Sequence, residues 1–178
     1  MIELSKLEQN DFIIFKSWIK NQDELFQFAG PILKFPVTDD QLLGYINDSQ
    51  RIVFKVRLTE SNEIVGNAEL NFENPLPRLS RILIGNKANR NKGLGKIIVN
   101  KLLEKLFIEY NFQQVDLNVF DWNKAAIKCY ESVGFVINPD IVYKHNYNNE
   151  IWTAINMTIS KKDWIKNNSN KDNKNAST

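Results

Sequence analysis

The spacing of apolar residues along the chain predicts alternating strands and helices. Period-two alternation or short apolar runs predict strands at residues 2–7, 51–59, 63–72, 79–85, 115–120, 141–147 and 151–160. Helical spacing predicts helices at residues 12–19, 22–28, 39–47, 97–110 and 123–133. Short polar turns at residues 60–62 and 148–149 join two pairs of strands into hairpins. The pattern predicts one mixed domain, with no internal repeat.

A basic glycine loop lies between one predicted strand and the longest predicted helix. Its members are Arg90, Asn91, Lys92, Gly93, Leu94 and Gly95, followed by Lys96. The first N–H groups of a helix have no intrahelical partner, and the helix dipole adds positive potential there. Gly93 and Gly95 have no Cβ, so an anion can approach the backbone closely. The loop therefore predicts a phosphate site, and its charge suits a pyrophosphate.

Two common phosphate-binding motifs are excluded by the residues of this loop. A P-loop requires Ser or Thr after Gly95-Lys96, where this chain has Ile97, and it requires glycine where this chain has Arg90. A dinucleotide fingerprint requires a third glycine at the position of Ile98. The remaining pattern is Arg-x-x-Gly-x-Gly, which by itself also fits a helix that merely begins with glycines.

A second group of candidate residues lies on the helix that follows the strand at residues 115–120. Asn123 and Tyr130 are seven positions apart, so they share one helix face at a separation of about 10 Å. Gly134 suits the left-handed position after this helix. Taken alone, Asn123 also fits a simple helix cap and Tyr130 a simple core aromatic.

Together, the glycine loop and the Asn123–Tyr130 helix resemble the GNAT superfamily of N-acetyltransferases. The resemblance is dense over residues 64–135, and the Phe28-Ala-Gly-Pro segment, Met157 and Trp164 are similar to the ribosomal-protein-alanine branch. It implies an α/β (α+β) fold, with a mixed, mostly antiparallel sheet of about seven strands and helices on both faces. It also implies a single domain over residues 1–166.

The resemblance implies an acyl-CoA-dependent N-acetyltransferase that moves an acetyl group from acetyl-CoA to a primary amine by direct transfer through a ternary complex. The loop from Arg90 to Lys96 would hold the pyrophosphate, Asn123 would hold the pantetheine arm, and Leu83 and Ile84 would offer backbone groups to it. Tyr130 would reach the sulfur and protonate the departing thiolate, because a phenol titrates only slightly above a thiol. The alternative is a non-catalytic sensor that binds acyl-CoA.

The base that deprotonates the amine is the least specified part of the predicted site. Asn67, Glu69 and Asn71 alternate with apolar residues and so share one strand face. Glu69 is the candidate base if that face lines the cleft, acting directly or through a water. The other interpretation is that the face is solvated and Glu69 is an ordinary surface acid.

Composition favours a single domain that works on a small molecule or a peptide. The 178 residues carry a net charge of +2, but residues 161–178 hold five lysines against two aspartates, so the remaining chain is nearly neutral. A nearly neutral body argues against a nucleic-acid partner. No apolar run approaches the length of a membrane span, and we expect no membrane partner. The Asn- and Lys-rich tail at residues 167–178 is predicted to be disordered.

Cysteine and histidine are each used once. A lone Cys129 excludes an internal disulfide and fits a cytoplasmic protein, where we expect it to be a small packed residue. With one His and one Cys, no metal site is expected.

The resemblance implies that the chain segment that connects the first strand to the second lines the acceptor pocket. This segment combines acids with aromatics: Trp18, Asp23, Glu24, Phe26, Phe28 and Phe35. Such a set suits a cationic amine, for example a polyamine, an amino sugar or a peptide N-terminus. The same aromatics also fit simple packing of helices onto the sheet. The sequence leaves the oligomeric state open, with a homodimer as one alternative.

Overall fold

The computed structural model describes the backbone of residues 1–175 and the side chains of residues 1–169. Its strands are β1 (Ile2–Lys6), β2 (Arg51–Leu58), β3 (Ile64–Asn71), β4 (Arg78–Ile84), β5 (Gln114–Phe120), β6 (Val136–Tyr147) and β7 (Glu150–Ser160). Its α-helices are α1 (Phe12–Trp18), α2 (Gln22–Ala29), α3 (Asp39–Asn47), α4 (Leu94–Glu104), α5 (Lys124–Val133) and α6 (Lys161–Asn175). Apart from α6, the element order matches the strands and helices that the apolar pattern predicts.

The strands form one seven-stranded mixed sheet in the order β1-β2-β3-β4-β5-β7-β6. Neighbouring strands pair antiparallel except β4 and β5, which are parallel and are connected through α4. A parallel pair requires such a crossover, whereas the antiparallel neighbours are joined mostly by hairpins. The predicted mixed, mostly antiparallel sheet is confirmed.

Helices cover both faces of the sheet, each over its own apolar core. Val53 of β2 belongs to the core under α1, α2 and α3, and its neighbour Phe54 belongs to the core under α4, α5 and α6. Because successive side chains of a strand point to opposite faces, these two cores lie on opposite sides of the sheet. Fully buried aliphatic side chains of α4 fill the second core: Ile98, Val99, Leu102 and Leu103.

The sheet opens between its two parallel strands. Pairing of β4 with β5 is limited to Arg78 with Asp116 and Leu79 with Leu117. Beyond Leu79, β4 contains a bulge, because Asn67 of β3 pairs with Leu83 whereas Glu69 pairs with Ser80. Two residues of β4 therefore stand opposite one residue of β3, which bends β4 and increases its twist. The carboxyl halves of β4 and β5 diverge and leave a cleft.

Three features differ from the predicted pattern. Strand β6 begins at Val136 instead of residue 141, because a shift in register between Asn138 and Val142 interrupts its alternation. The helix α4 is followed by a wide turn of π type at Lys105–Glu109. Helix α6 continues across residues 167–175, for which the sequence predicts no regular structure, and residues 176–178 lie outside the described part.

No helix within residues 1–175 is both long enough and apolar enough to cross a bilayer.

Candidate active site

A cavity of about 840 Å³ occupies the opening between β4 and β5. One end is formed by the glycine loop and the start of α4, and the other by α1, α2 and β6. Of the predicted loop residues, all but Lys92 line the first end: Arg90, Asn91, Gly93, Leu94, Gly95 and Lys96. Leu83, Ile84, Asn123 and Tyr130 line the middle. The tertiary structure thus brings the two sequence motifs to one site.

The first end of the cavity has the geometry of an anion site. Gly93 is the N-cap of α4 and has a left-handed φ of 79°. The first intrahelical bond runs from the Ile97 amide to the Gly93 carbonyl at 3.3 Å, so the amides before Ile97 have no partner within the helix. Gly95 has Cys129 as its neighbour, with the sulfur 3.2 Å from where a Cβ would lie. A side chain at either glycine would therefore be unfavourable.

Residues outside the glycine loop also contribute positive charge to this end of the cavity. Arg90, Lys96, Lys87 and Lys128 all line the cavity, whereas Lys92 is exposed and does not. Lys87 lies in the turn before the loop and Lys128 on α5, so neither is part of the glycine pattern. Arg90 Nε donates to the Ile84 carbonyl at 3.0 Å, which ties the loop to the end of β4.

Alternate backbone groups of β4 face the cleft. A Cβ on Gly66 would overlap the Leu83 carbonyl, and the Gly85 amide donates to the Val65 carbonyl at 2.9 Å, so both Leu83 and Gly85 turn to β3. The N–H and C=O groups of successive residues in a strand point to opposite edges of the strand. Those of Ile82 and Ile84 therefore point to the edge of β4 from which β5 has separated. Of the two predicted backbone contributors, Ile84 has this orientation and Leu83 does not. Ile82, which the sequence analysis did not name, has the same orientation as Ile84 and also lines the cavity.

Helix α5 presents Asn123 and Tyr130 to the cavity. Asn123 is the N-cap, and its side-chain oxygen accepts from the Ala126 amide at 3.3 Å. Seven residues later, the Tyr130 ring packs against Phe135 at a centroid distance of 6.0 Å. Asn123 caps the helix and Tyr130 packs on the core, as the simpler interpretation of this pair expects, and both also line the cavity.

Burial governs the protonation of Tyr130 and Cys129, two neighbouring residues that line the cavity. Burial raises the pKa of Tyr130 well above its usual value, so the hydroxyl is held in the protonated form that a proton donor needs. Full proton transfer from Tyr130 is for the same reason less favourable than from a phenol in water. Burial also raises the pKa of the Cys129 thiol, which keeps it neutral and unreactive, as expected of a packed cysteine.

Glu69 does not line the cavity, and it is not solvated either. Its side chain is 0% exposed. It accepts hydrogen bonds from the side chains of Tyr45, Arg51, Asn71 and Arg81, at distances between 2.7 and 3.3 Å. Neither sequence interpretation describes the observed environment of Glu69. This face of β3 is covered by α3 and is occupied by oppositely charged side chains that pair with each other. Burial and the Glu69 charge also raise the pKa of Tyr45 well above its usual value.

The far end of the cavity combines one acid, one imidazole and several aromatics. Trp18, Glu24 and Phe28 come from α1 and α2, whereas Phe120 and His145 come from β5 and β6. His145 packs edge-on against Phe26 and Phe120 at centroid distances of 6.3 and 5.9 Å. The Tyr147 hydroxyl donates to Asp23 at 2.5 Å and so fastens α2 to β6. His145 is a second site residue that the sequence analysis missed.

Three of the predicted acceptor residues do not line this cavity: Asp23, which accepts the hydrogen bond from Tyr147, and the aromatic residues Phe26 and Phe35. Phe26 is buried in the aromatic cluster behind the wall, stacked on Tyr147 at a centroid distance of 4.1 Å. Phe35 is exposed and does not line the cavity. No cluster of metal-ligating side chains occurs among the described residues.

A sheet that opens beside a basic helix start, with a protonated tyrosine in the same cavity, defines an acyl-CoA-dependent acyltransferase. The family described as "Acetyltransferase (GNAT) family" matches residues 15–135, more than half of the chain. The chain belongs to this family. The predicted N-acetyltransferase activity with acetyl-CoA as cosubstrate is thereby confirmed.

Solved structures with a similar fold include spermidine N-acetyltransferases. One is the enzyme from Vibrio cholerae in complex with CoA and spermine, with a TM-score of 0.77, 20% identity and coverage of 92% of this chain and 98% of that one. Another is a dodecameric structure of the spermidine N-acetyltransferase from Vibrio cholerae, with a TM-score of 0.69, 22% identity and coverage of 90% and 94%. At this identity the likeness confirms the fold. These structures are spermidine N-acetyltransferases, so they give no support for the finer resemblance to the ribosomal-protein-alanine branch.

Proposed function

We propose that this chain transfers the acetyl group of acetyl-CoA directly to a primary amine that carries further positive charge, with a polyamine as the model acceptor. The observation that carries the proposal is the single cavity that joins a basic helix start to an acidic, aromatic end through the opening in the sheet. Two substrates of opposite charge can occupy such a cavity together, as direct transfer requires.

At the cofactor end, the pyrophosphate would lie on the free amides of α4, with Arg90, Lys87, Lys96 and Lys128 around it. The pantetheine arm would then run along the free edge of β4. The carbonyl and amide groups of Ile82 and Ile84 would pair with its amides in the way that a neighbouring strand would. This course would bring the thioester towards Tyr130, because α5 lies across the opening from β4.

The transfer step needs a donor for the oxygen of the tetrahedral intermediate and a proton for the sulfur. A free amide on β4, at Ile82 or Ile84, supplies the first, because it is fixed before the reaction and faces the cleft. The amine nitrogen attacks the carbonyl carbon, the C–S bond breaks, and the thiolate leaves. Tyr130 hydrogen-bonds to the departing sulfur and supplies its proton, and the second proton that the nitrogen loses as it becomes an amide returns to the tyrosine oxygen.

The acceptor must lose a proton before it attacks, because alkylammonium groups titrate near pH 10. Two groups on the acceptor wall can take this proton, Glu24 and His145. Histidine is the side chain that most often serves as a general base, so we assign the proton to His145 and the binding of a distal ammonium to Glu24. Trp18, Phe28 and Phe120 offer aromatic faces to the same cation.

The test is a thiol-release assay with acetyl-CoA and three acceptors: spermidine, an uncharged primary amine of similar length, and a peptide with an N-terminal alanine. We expect kcat/KM to be highest for spermidine and to fall for it in Glu24→Gln. Preference for the peptide would instead favour the ribosomal-protein-alanine type of acceptor. Tight binding of acetyl-CoA without release of thiol for any acceptor would favour the sensor function and contradict the proposal.

We further propose that the chain self-associates. Support comes from the edge strand β6, which exposes the apolar side chains of Val136, Ile137 and Val142. One structurally similar enzyme is dodecameric. Light scattering of the purified chain tests this proposal, and a monomer at all concentrations would contradict both it and the homodimer alternative.

A further inference from the structure

The bulge in β4 is the local feature that turns backbone groups into the cleft. Its first residue, Arg81, has a left-handed φ of 48°, and together with Ile82 it stands opposite Ala68 of β3. Residues with a Cβ rarely adopt this backbone conformation, which is unfavourable unless the surroundings hold it. The direction of the amide and carbonyl groups of Ile82, the next residue, depends on whether Arg81 keeps this conformation.

Arg81 is held at both its backbone and its side chain. Asn67 Nδ2 donates to the Arg81 carbonyl at 3.1 Å. The Arg81 guanidinium donates through one nitrogen to both Glu69 oxygens, at 2.7 and 2.8 Å. Both partners are completely buried on β3, the strand against which the bulge forms. These two contacts join the extra residue of β4 to its neighbouring strand where the regular ladder is interrupted.

Glu69 is itself held from several directions. Tyr45 of α3 donates to one of its oxygens at 2.7 Å, and Arg51 of β2 donates to the other at 3.3 Å. A carboxylate with this many donors has a fixed orientation, so it can define where the Arg81 side chain lies. The same partners occupy its lone pairs, which leaves no place for the proton of an amine substrate.

We propose that Asn67, Glu69 and Arg81 form a clamp that keeps the β4 bulge in the conformation needed for acetyl transfer, so that Glu69 is a positioning residue and not the base. This inference rests on the proposed function, because it assigns the clamp to orienting the amide and carbonyl groups of Ile82. Loss of the clamp lets β4 relax towards regular pairing and turns Ile82 away from the thioester.

Two substitutions at Arg81 separate the clamp from a direct role of its charge. Arg81→Met and Arg81→Gly both remove the guanidinium, but glycine adopts a left-handed φ without strain and so retains the bulge. We expect Arg81→Met to lower kcat by about tenfold or more, because small misplacements of a reacting group are costly. Arg81→Gly should keep most of the wild-type kcat. The affinity for CoA, measured by calorimetry, should be similar in both variants.

Lys55→Met is the matched control, since it removes another buried cation, which pairs with Asp11 and Glu8, without touching Glu69 or β4. It should lower the melting temperature and leave kcat close to wild type. Equal losses of kcat in the two Arg81 variants would assign a direct role to the charge and overturn the clamp. Wild-type kcat in Arg81→Met would also overturn it.

Amide hydrogen exchange tests the clamp without any activity. Exchange at residues 80–84 should change in Arg81→Met and stay like wild type in Arg81→Gly. If the wild type transfers acetyl to no amine, the proposed function fails, and the exchange pattern still decides for or against the clamp. Identical exchange in all forms would refute it.

Discussion

Gly93 provides a sharp test of the phosphate site, because its importance comes from backbone conformation and not from packing. It has a φ of 79°, and a Cβ added to it would meet no protein atom within 4 Å. Gly93→Ala should therefore cost about 1–2 kcal/mol of folding free energy through left-handed strain alone. Any additional loss of CoA affinity would come from a clash between the new side chain and the bound ligand, since the side chain would contact no protein group.

Gly44 is the matched control for this substitution. It lies inside α3, has no positive φ, and also has open space where a Cβ would be. Gly44→Ala should raise the unfolding free energy by about 0.5–1 kcal/mol, because alanine is the better helix former. The two Gly→Ala substitutions are thus predicted to shift stability in opposite directions, with the difference caused by φ.

Thermal melts with and without CoA measure both effects. For a domain of this size, 1 kcal/mol corresponds to about 2–4 °C in Tm. CoA at about 100 times its Kd should stabilise the wild type and Gly44→Ala by about 2.7 kcal/mol. Gly93→Val should lose this CoA-dependent shift. A full shift in Gly93→Val would refute the phosphate site, and a raised Tm in Gly93→Ala would refute the argument from backbone strain.

Three further substitutions test other parts of the site. Tyr130→Phe should lower kcat by about a hundredfold, the scale of general acid catalysis, with CoA affinity unchanged; an unaltered kcat would exclude the proton donor. Because burial raises the pKa of Tyr130 in the folded state, its contribution to stability is complete below about pH 10, the value for an exposed phenol, and is lost above it. Alkaline melts should therefore show a smaller loss in Tyr130→Phe than in wild type, and equal losses would contradict the assigned burial. His145→Asn should lower kcat by about a hundredfold, the scale of general base catalysis, and an unaltered kcat would leave Glu24 or solvent as the base. Gly85→Ala should cost about 1–3 kcal/mol in urea unfolding, because its Cβ would overlap the Trp18 ring; unchanged stability would mean that α1 is not fixed on β4.

The sequence by itself located most of the elements and the two motifs that line the cavity. Strands and helices are indicated by residues only a few positions apart. Period-two alternation and helical spacing in the sequence therefore locate these elements. The glycine loop is likewise local, because a left-handed N-cap and free helix amides need only consecutive residues such as Gly93 and Leu94. For the same reason, Asn123 and Tyr130 could be placed on one face of α5 before the fold was known.

The tertiary structure decided which groups meet across the chain. Alternation placed Glu69 on one face of β3, but it could not show that Arg81 and Tyr45, 12 and 24 residues away, would enclose it. The bulge at Arg81 has no signal in the sequence, because neither glycine nor asparagine marks its positive φ. His145 reaches the cavity only because β6 pairs with β7 at the sheet edge, which brings it beside Phe120. Local interactions fix the elements, whereas the site depends on contacts between distant segments, which form only when the sheet is assembled.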